Sequence, residues 1–475
     1  MFSKLFKNSV IYGIAPSIPK IVGLLMLPLL TPYLTDVDYG IAGTIMAYTT
    51  ALAAFSTLGL NVCLQVSFFR SRGHYKYLWR QIYGFLQIWM ILFAILQGTV
   101  LYFIIPAEAI DNRWLIIILT NFNGVLFGPA GFLGSFYYQY EQKPMPIAVR
   151  SLVAGFLTII INYILIVNFR WGYMGWYVSS FAATFIINIT YWYDLTRKIG
   201  ITPIYNFKIR TIKEQLKVSL PTIPHYYSVF LINTSNRLVM DWSNIGVAKI
   251  GEYNMAHQIS TYIETGVQAI ERAALPMCMT AINRKNAREE KSIVYTYVIV
   301  TFLLTFLLSL WSKQIFSVMI KNEVLAATYP YAIFLIMGLN YRPVYFAVSN
   351  IYFYNEKTKD ILLITFMAGV LALVLNLIFI PKFGLWAAVF IAYFAYLYQG
   401  YAGFFMPTFK KYTLNKYPYI FLMITQLALT MICYLLREHS IGFKSIISAV
   451  SIAVSGLLLY SVLRLKNKKQ NEKDC

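Results

Sequence analysis

The sequence predicts an all-α polytopic membrane protein, and three observations carry that prediction. Of its 475 residues, 59% are hydrophobic and only 12% are charged, against about 25% charged in ordinary globular domains. The apolar runs extend for roughly 20 to 28 residues, the length a helix needs to cross a hydrocarbon core. The period-two alternation that marks an outer-membrane barrel does not occur.

Fourteen segments qualify as membrane helices, at roughly 9–34, 40–68, 80–105, 114–138, 146–168, 172–193, 216–240, 251–278, 292–320, 326–353, 360–381, 383–407, 417–436 and 443–463. The first begins in a basic stretch, MFSKLFKNSVIYGIAPSIPK, and stays apolar to Leu34 without an A-x-A-like cleavage signal, so it reads as a retained helix. The fourth carries Gly124 and Gly128, a small-xxx-small contact for packing. The seventh, eighth and tenth hold ionisable residues. Connections are short, and no soluble region is large enough to fold alone. The four cysteines, Cys63, Cys278, Cys433 and Cys475, have no metal-ligand or redox spacing and read as buried fillers plus a tail thiol.

A formal charge of +21 raises the question of nucleic acid, and its distribution answers it. The termini and even-numbered connections hold 28 of the 40 Lys and Arg residues, and the odd-numbered connections hold 8. Basic residues gather on the cytoplasmic side of membrane proteins, so both termini are expected in the cytoplasm and the surplus faces anionic headgroups. No nucleic-acid partner is needed. The four basic residues outside this tally, Lys20, Arg237, Arg272 and Arg342, lie away from the helix ends and are read as buried, as are the acidic Glu264 and Glu271.

The chain also repeats itself. Ala15-Pro16-Ser17-Ile18-Pro19 recurs as Leu220-Pro221-Thr222-Ile223-Pro224; Glu141, the run from Asn162 to Ile166 and Gly172 recur as Glu356, the run from Asn376 to Ile380 and Gly384. The unit is six helices, which predicts two six-helix bundles, residues 1–200 and 201–413, related by a pseudo-two-fold axis along the membrane normal. Residues 414–475 add two helices and a basic tail. Such an arrangement places a substrate site between the halves near the midplane, and prolines at matching positions, here Pro16, Pro19, Pro221 and Pro224, point to hinges.

A charge at the centre of a membrane helix costs about 2.5 to 3.5 kcal/mol on insertion scales and marks a pathway. His257, Glu264 and Glu271 recur every seven residues and form one polar stripe, which serves ion coupling, a gate, or a structural hydrogen-bond seam. Arg272 adjoins Glu271, which suits a gate or local pair. Lys20 and Arg342 lie halfway along their helices and Arg237 in the outer third of its own. Arginine's planar fork suits phosphate, and lysine offers a point charge; the competing reading for each is pairing with Glu264 or Glu271. Tyr226, Tyr227, Tyr262, Tyr341, Tyr345 and Tyr352 share these helices. They suit sugar rings, although interface belts enrich tyrosine in any case. No catalytic constellation, metal site or Walker loop is present, so no enzyme activity and no cofactor are expected.

The opening KNSVIYGIAPSIPKIVGLLMLPLLTPYLTDVDYG, the segment LGLNVCLQVSFFR and the duplicated NYILI/NLIFIPKFGLWAA resemble the polysaccharide repeat-unit flippases, of O-antigen and capsule type, within the multidrug/oligosaccharidyl-lipid/polysaccharide (MOP) exporter superfamily. The resemblance implies a protein of the bacterial inner membrane that moves undecaprenyl-diphosphate-linked oligosaccharide to the outer leaflet by alternating access. It implies a coupling ion, proton or sodium, and polymerase and chain-length proteins as partners. Lys20, Arg237 and Arg342 are then counterparts, by location, of the cationic substrate contacts in relatives. A multidrug cation exporter would have an acidic cavity instead, and a peptidoglycan-precursor flippase would share the cationic one. A non-transporting scaffold would need no buried charge on several helices. The charge distribution predicts that a fluorescent reporter fused after Cys475 will fluoresce and that alkaline phosphatase fused there will be inactive; the reverse pattern would invert the topology.

Overall fold

The computed structural model describes residues 18–70, 73–413 and 415–467. Among them every regular element is helical, as hydrocarbon demands of a chain that satisfies its backbone hydrogen bonds within each segment. The helices are α1 (Ile18–Leu30), α2 (Asp36–Thr57), α3 (Asn61–Arg70), α4 (Tyr75–Ile104), α5 (Arg113–Tyr140), α6 (Pro144–Asn162) and α7 (Tyr173–Tyr193). A broken run follows, α8 (Ile209–Ser219), α9 (Ile223–Asn233) and α10 (Ser235–Trp242), then α11 (Val247–Asn283), α12 (Ala287–Leu310), α13 (Ser312–Met319) and α14 (Glu323–Ala326). The remainder comprises α15 (Tyr329–Gly338), α16 (Tyr341–Tyr354), α17 (Thr358–Phe405), α18 (Pro407–Tyr412), α19 (Tyr419–Leu436) and α20 (Ile441–Asn467).

Nine runs among the described residues are long and apolar enough to cross a membrane. They contain ten of the fourteen predicted segments, because α17 joins the eleventh and twelfth across a kink at Gly384. The other four segments are helical as well, in α1, α7, α8–α10 and α11. They fall short of the nine through length, breaks or polar content, so the all-helical membrane fold stands and fourteen crossings are consistent with it.

The chain forms two compact units, Met1–Phe230 with Gly246–Gly251, and Leu231–Ile245 with Glu252–Cys475. In the first, α5 packs on α4 and α7, and α6 on α7. Pro129 sits inside α5 and leaves the carbonyl of Val125 without its helical donor. Gln87 of α4 supplies one, donating to Val125 O and, at 3.2 Å, to Leu126 O. Thr35 and Asp38 form a capping box at the start of α2, and the second oxygen of Asp38 accepts from the Tyr173 amide at 2.8 Å, tying α2 to the start of α7. In the second unit, α12 packs on α15, α19 and α20, and α17 on α10, α15 and α16. Glu290, buried at the start of α12, accepts from Asn415 at 2.8 Å and Tyr417 at 3.0 Å just before α19.

The sequence repeat has a backbone counterpart. Gly172 (φ 52°, ψ −133°) and Gly384 (φ 59°, ψ −136°) share a conformation that side chains strongly disfavour. The asparagines that precede them in the repeat, Asn162 and Asn376, are both buried, and Asn162 accepts from Ser179 at 2.7 Å. Cys63, Cys278 and Cys433 are buried and free, as their spacing suggests; Cys475 lies outside the described residues.

Just beyond α7, Asp194 clamps three helices. It accepts from Tyr138 of α5 at 2.7 Å, from Arg150 of α6, and from Lys198 at 2.7 Å. Burial opposes its charge, but the bonds from Lys198, Tyr138 and Arg150 hold its carboxyl below the usual range. A lowered carboxylate contributes stability that is full above the unfolded value of about 4 and is lost as pH falls through the folded value. Asp194→Asn should therefore cost about 3 to 5 kcal/mol near neutrality by stranding Arg150. Thermal midpoints in detergent should converge for variant and wild type as the medium is acidified; an offset that does not change with pH would assign the effect to packing.

Candidate functional site

The ionisable residues of the second unit resolve into two patches. The inner patch is built around Arg342 in the first turn of α16. The chain breaks between α15 and α16, where Thr305 of α12 donates to Asn340 Oδ1 at 2.8 Å, and Asn340 is fully buried. Arg342 points its fork at α11: Nη2 donates to Glu264 Oε1 and Nη1 to Glu271 Oε2 at 3.2 Å. Glu264 also accepts from Gln268 Nε2 at 3.1 Å, and Glu271 from the Tyr297 hydroxyl of α12 at 3.3 Å.

Two tyrosines brace the guanidinium. Its Cζ lies 5.5 Å from the Tyr341 ring centroid, and Tyr341 stacks on Tyr396 of α17 at 4.8 Å with 6° between the planes. Gly338 makes room for that stack, since a Cβ there would stand 2.7 Å from the Tyr396 ring. The Tyr396 hydroxyl is anchored in turn on Asn233 Oδ1 at 2.6 Å. The side chains of Arg342, Glu264 and Glu271 remain 18%, 21% and 33% exposed.

The outer patch forms where the seventh predicted helix breaks. Pro221 lies in a 3-10 turn, Leu220–Thr222, and Pro224 in the first turn of α9. A second break follows at Thr234 (φ −133°), and α10 starts with Ser235, Asn236 and Arg237, all buried. Arg237 is only 2% exposed and its Nε has no hydrogen-bond partner. Its guanidinium lies 5.6 Å from the Tyr253 ring centroid, and Asn236 donates to the Tyr253 hydroxyl. His257, one helix turn further along the same face, stacks on Tyr253 at 5.9 Å between centroids, with Nδ1 3.4 Å from Thr261 Oγ1.

The His257–Glu264–Glu271 stripe thus divides: the two glutamates share Arg342, and His257 belongs with Tyr253 near Arg237. Glu271 pairs with Arg342 across helices, and its neighbour Arg272 is exposed. Lys20 is exposed on α1 in the first unit. Pro19 falls in α1, and Pro16 lies outside the described residues. Tyr352 is core, donating to Gly403 O at 3.3 Å, and Tyr227 donates to Ala51 O at 2.5 Å. Tyr345 is half-buried beside Arg342's patch, and Tyr262 accepts from Gln258; the Tyr226 side chain lies outside the described set. Tyr297, Tyr396, Tyr253 and Asn236 were not singled out from sequence, because no spacing ties them to the charged residues.

Charge balance distinguishes the patches. The inner one carries two carboxylates for one guanidinium; Arg237 makes no ion pair among the described residues. Removing Arg342 strands two carboxylates, so Arg342→Gln should destabilise the protein toward the low end of the about 3 to 5 kcal/mol seen for broken buried pairs. Glu271→Gln, which leaves the Glu264 contact, should cost less. An unchanged thermal midpoint for Arg342→Gln would show that the pair has no stabilising role.

A family model described as "Polysaccharide biosynthesis protein" matches residues 5–280. Among solved structures, the chain is similar to the lipid II flippase MurJ in an inward closed conformation, at TM-score 0.71 and 15% identity over 96% of this chain and 98% of that one. It is similar also to an inward-facing multidrug resistance MATE family transporter of the MOP superfamily, at 0.61 and 13% over 89% and 96%. A MOP superfamily transporter from Pyrococcus furiosus, described by the reversed polarity of its binding pocket, matches at 0.54 and 13% over 89% and 96%. No curated protein matches by sequence. The helices and the fold are those of the MOP transporters, and the chain belongs to the polysaccharide biosynthesis protein family.

Proposed function

We propose that this protein is a flippase that carries an undecaprenyl-diphosphate-linked oligosaccharide repeat unit from the inner to the outer leaflet of the bacterial inner membrane. It works by alternating access of two six-helix halves, residues 1–200 and 201–413, with an ion gradient as the driving force. Both termini lie in the cytoplasm. The observation that carries this reading is a pair of arginines in membrane helices, Arg237 buried without an ion pair among the described residues and Arg342 partly exposed with its fork on Glu264 and Glu271. An arginine fork matches a phosphate bidentately, and a diphosphate supplies the negative charge that Arg237 lacks. The family's name supports a glycan pathway, and the likeness to a protein described as a lipid II flippase supports a lipid-linked substrate.

Lys20, Arg237 and Arg342 are the proposed substrate contacts, with Glu264 and Glu271 as the coupling residues and His257 and Arg272 as lesser candidates. Pro16, Pro19, Pro221 and Pro224 are the proposed hinges. One observation favours a second reading: the surplus carboxylate of the inner patch would suit a cationic drug. Deleting the gene should strand lipid-linked repeat units on the cytoplasmic face and abolish surface glycan. Expression of Arg342→Ala or Arg237→Ala should fail to restore it by at least about tenfold, a loss of one charge-assisted contact, with the variant still in the membrane. Normal glycan display together with altered dye resistance would favour the multidrug reading.

A further inference from the structure

Both terminal nitrogens of Arg342 are held by carboxylates. One donates to Glu264 and the other to Glu271, and Nε is buried without a partner. A phosphate placed on this guanidinium competes with both carboxylates for its charge. The three charges sum to −1, so the patch repels an anion as it stands. Each carboxylate has one further donor, Gln268 for Glu264 and Tyr297 for Glu271. Both donors are neutral and replace a hydrogen bond but not a positive charge.

We propose that Arg342 is exchanged between the Glu264–Glu271 pair and a phosphate group of the substrate, and that each exchange is linked to proton uptake by the carboxylate set free. This deepens the flippase reading and takes from it only the identity of the anion. A carboxylate that loses its cation in a poorly hydrated interior binds a proton from water. The groups facing the pair offer no substitute: Tyr341 and Tyr345 of α16, Tyr297 of α12 and Tyr396 of α17 are phenols. Arg272, one residue beyond Glu271 on α11, is exposed.

The sign follows from linkage. Phosphate on Arg342 raises the proton affinity of the pair, and protonation of the pair frees the fork for phosphate, so each promotes the other by the same factor. Proton and anion therefore load together at this patch; a simple exchange of one for the other would need the opposite sign.

The test uses the full chain in lipid nanodiscs with inorganic pyrophosphate as the probe, by calorimetry in two buffers of different ionisation enthalpy. Wild type should take up about one more proton per pyrophosphate than Glu264→Gln/Glu271→Gln, and the affinity ratio of the two should change by up to about tenfold per pH unit. The probe's own titration is common to both and cancels. The double variant, its fork free, should bind more tightly at neutral pH, and Arg342→Gln should weaken binding by about tenfold or more. Equal proton counts in wild type and double variant, or binding unaffected by Arg342→Gln, would overturn the proposal, as would sodium-dependent binding with no excess proton. If the double variant is not monodisperse, the single variants serve, and a proton count unchanged in both overturns it. An excess proton in a protein whose deletion leaves glycan export intact would keep the exchange and remove the flippase reading; the converse result would do the reverse.

Discussion

The interaction on which the rest depends is the bidentate engagement of Arg342 by two glutamates of one helix. Three formal charges inside a membrane bundle are tolerable only if they are paired and hydrogen-bonded. Both conditions are met here, and each recruits another element. Arg342 comes from α16, the carboxylates from α11, the Tyr297 hydroxyl from α12 and the Tyr341–Tyr396 stack from α16 and α17. Displacing any of these helices relative to the others leaves a charge or a donor uncovered. The cluster therefore ties four helices of one unit together more specifically than apolar packing can, because lipid competes with side chains for apolar contact and not for ion pairs.

Irregular backbone supplies the geometry. The break before Tyr341, held by Thr305 on Asn340, turns Arg342 toward α11, and the break at Thr234 sends Asn236 and Arg237 into the interior. Broken helices are permitted at membrane depth where protein or water covers the freed groups. The pairing of Gln87 with the carbonyls above Pro129 shows the same requirement met in the first unit, away from any charge.

The two patches differ in a way that matters for an anionic cargo. Arg237 is buried with an unsatisfied Nε among tyrosines and a histidine, and has no carboxylate paired with it among the described residues. Arg342 is accessible but already committed to carboxylates. One patch holds stored positive charge behind closed packing, and the other holds a guanidinium behind exchangeable partners.

Composition and hydrophobic length determined the all-helical membrane fold, because the bilayer imposes constraints that act on each segment separately. The repeat was legible for a related reason: Gly172 and Gly384 need the same sterically restricted backbone, which only glycine adopts readily. The seven-residue recurrence on α11 identified Glu264 and Glu271 as one face, since helical periodicity is local. The partner of that face was not local. That Arg342 reaches Glu271 from another helix, that Tyr297 and Tyr396 complete the patch, and that Arg237 has no ion pair among the described residues depend on which helices lie side by side and where they break. Sequence spacing carries no distance between segments separated by a loop. Only packing decides it, because an ion pair worth several kcal/mol at contact vanishes within a few ångströms of solvent.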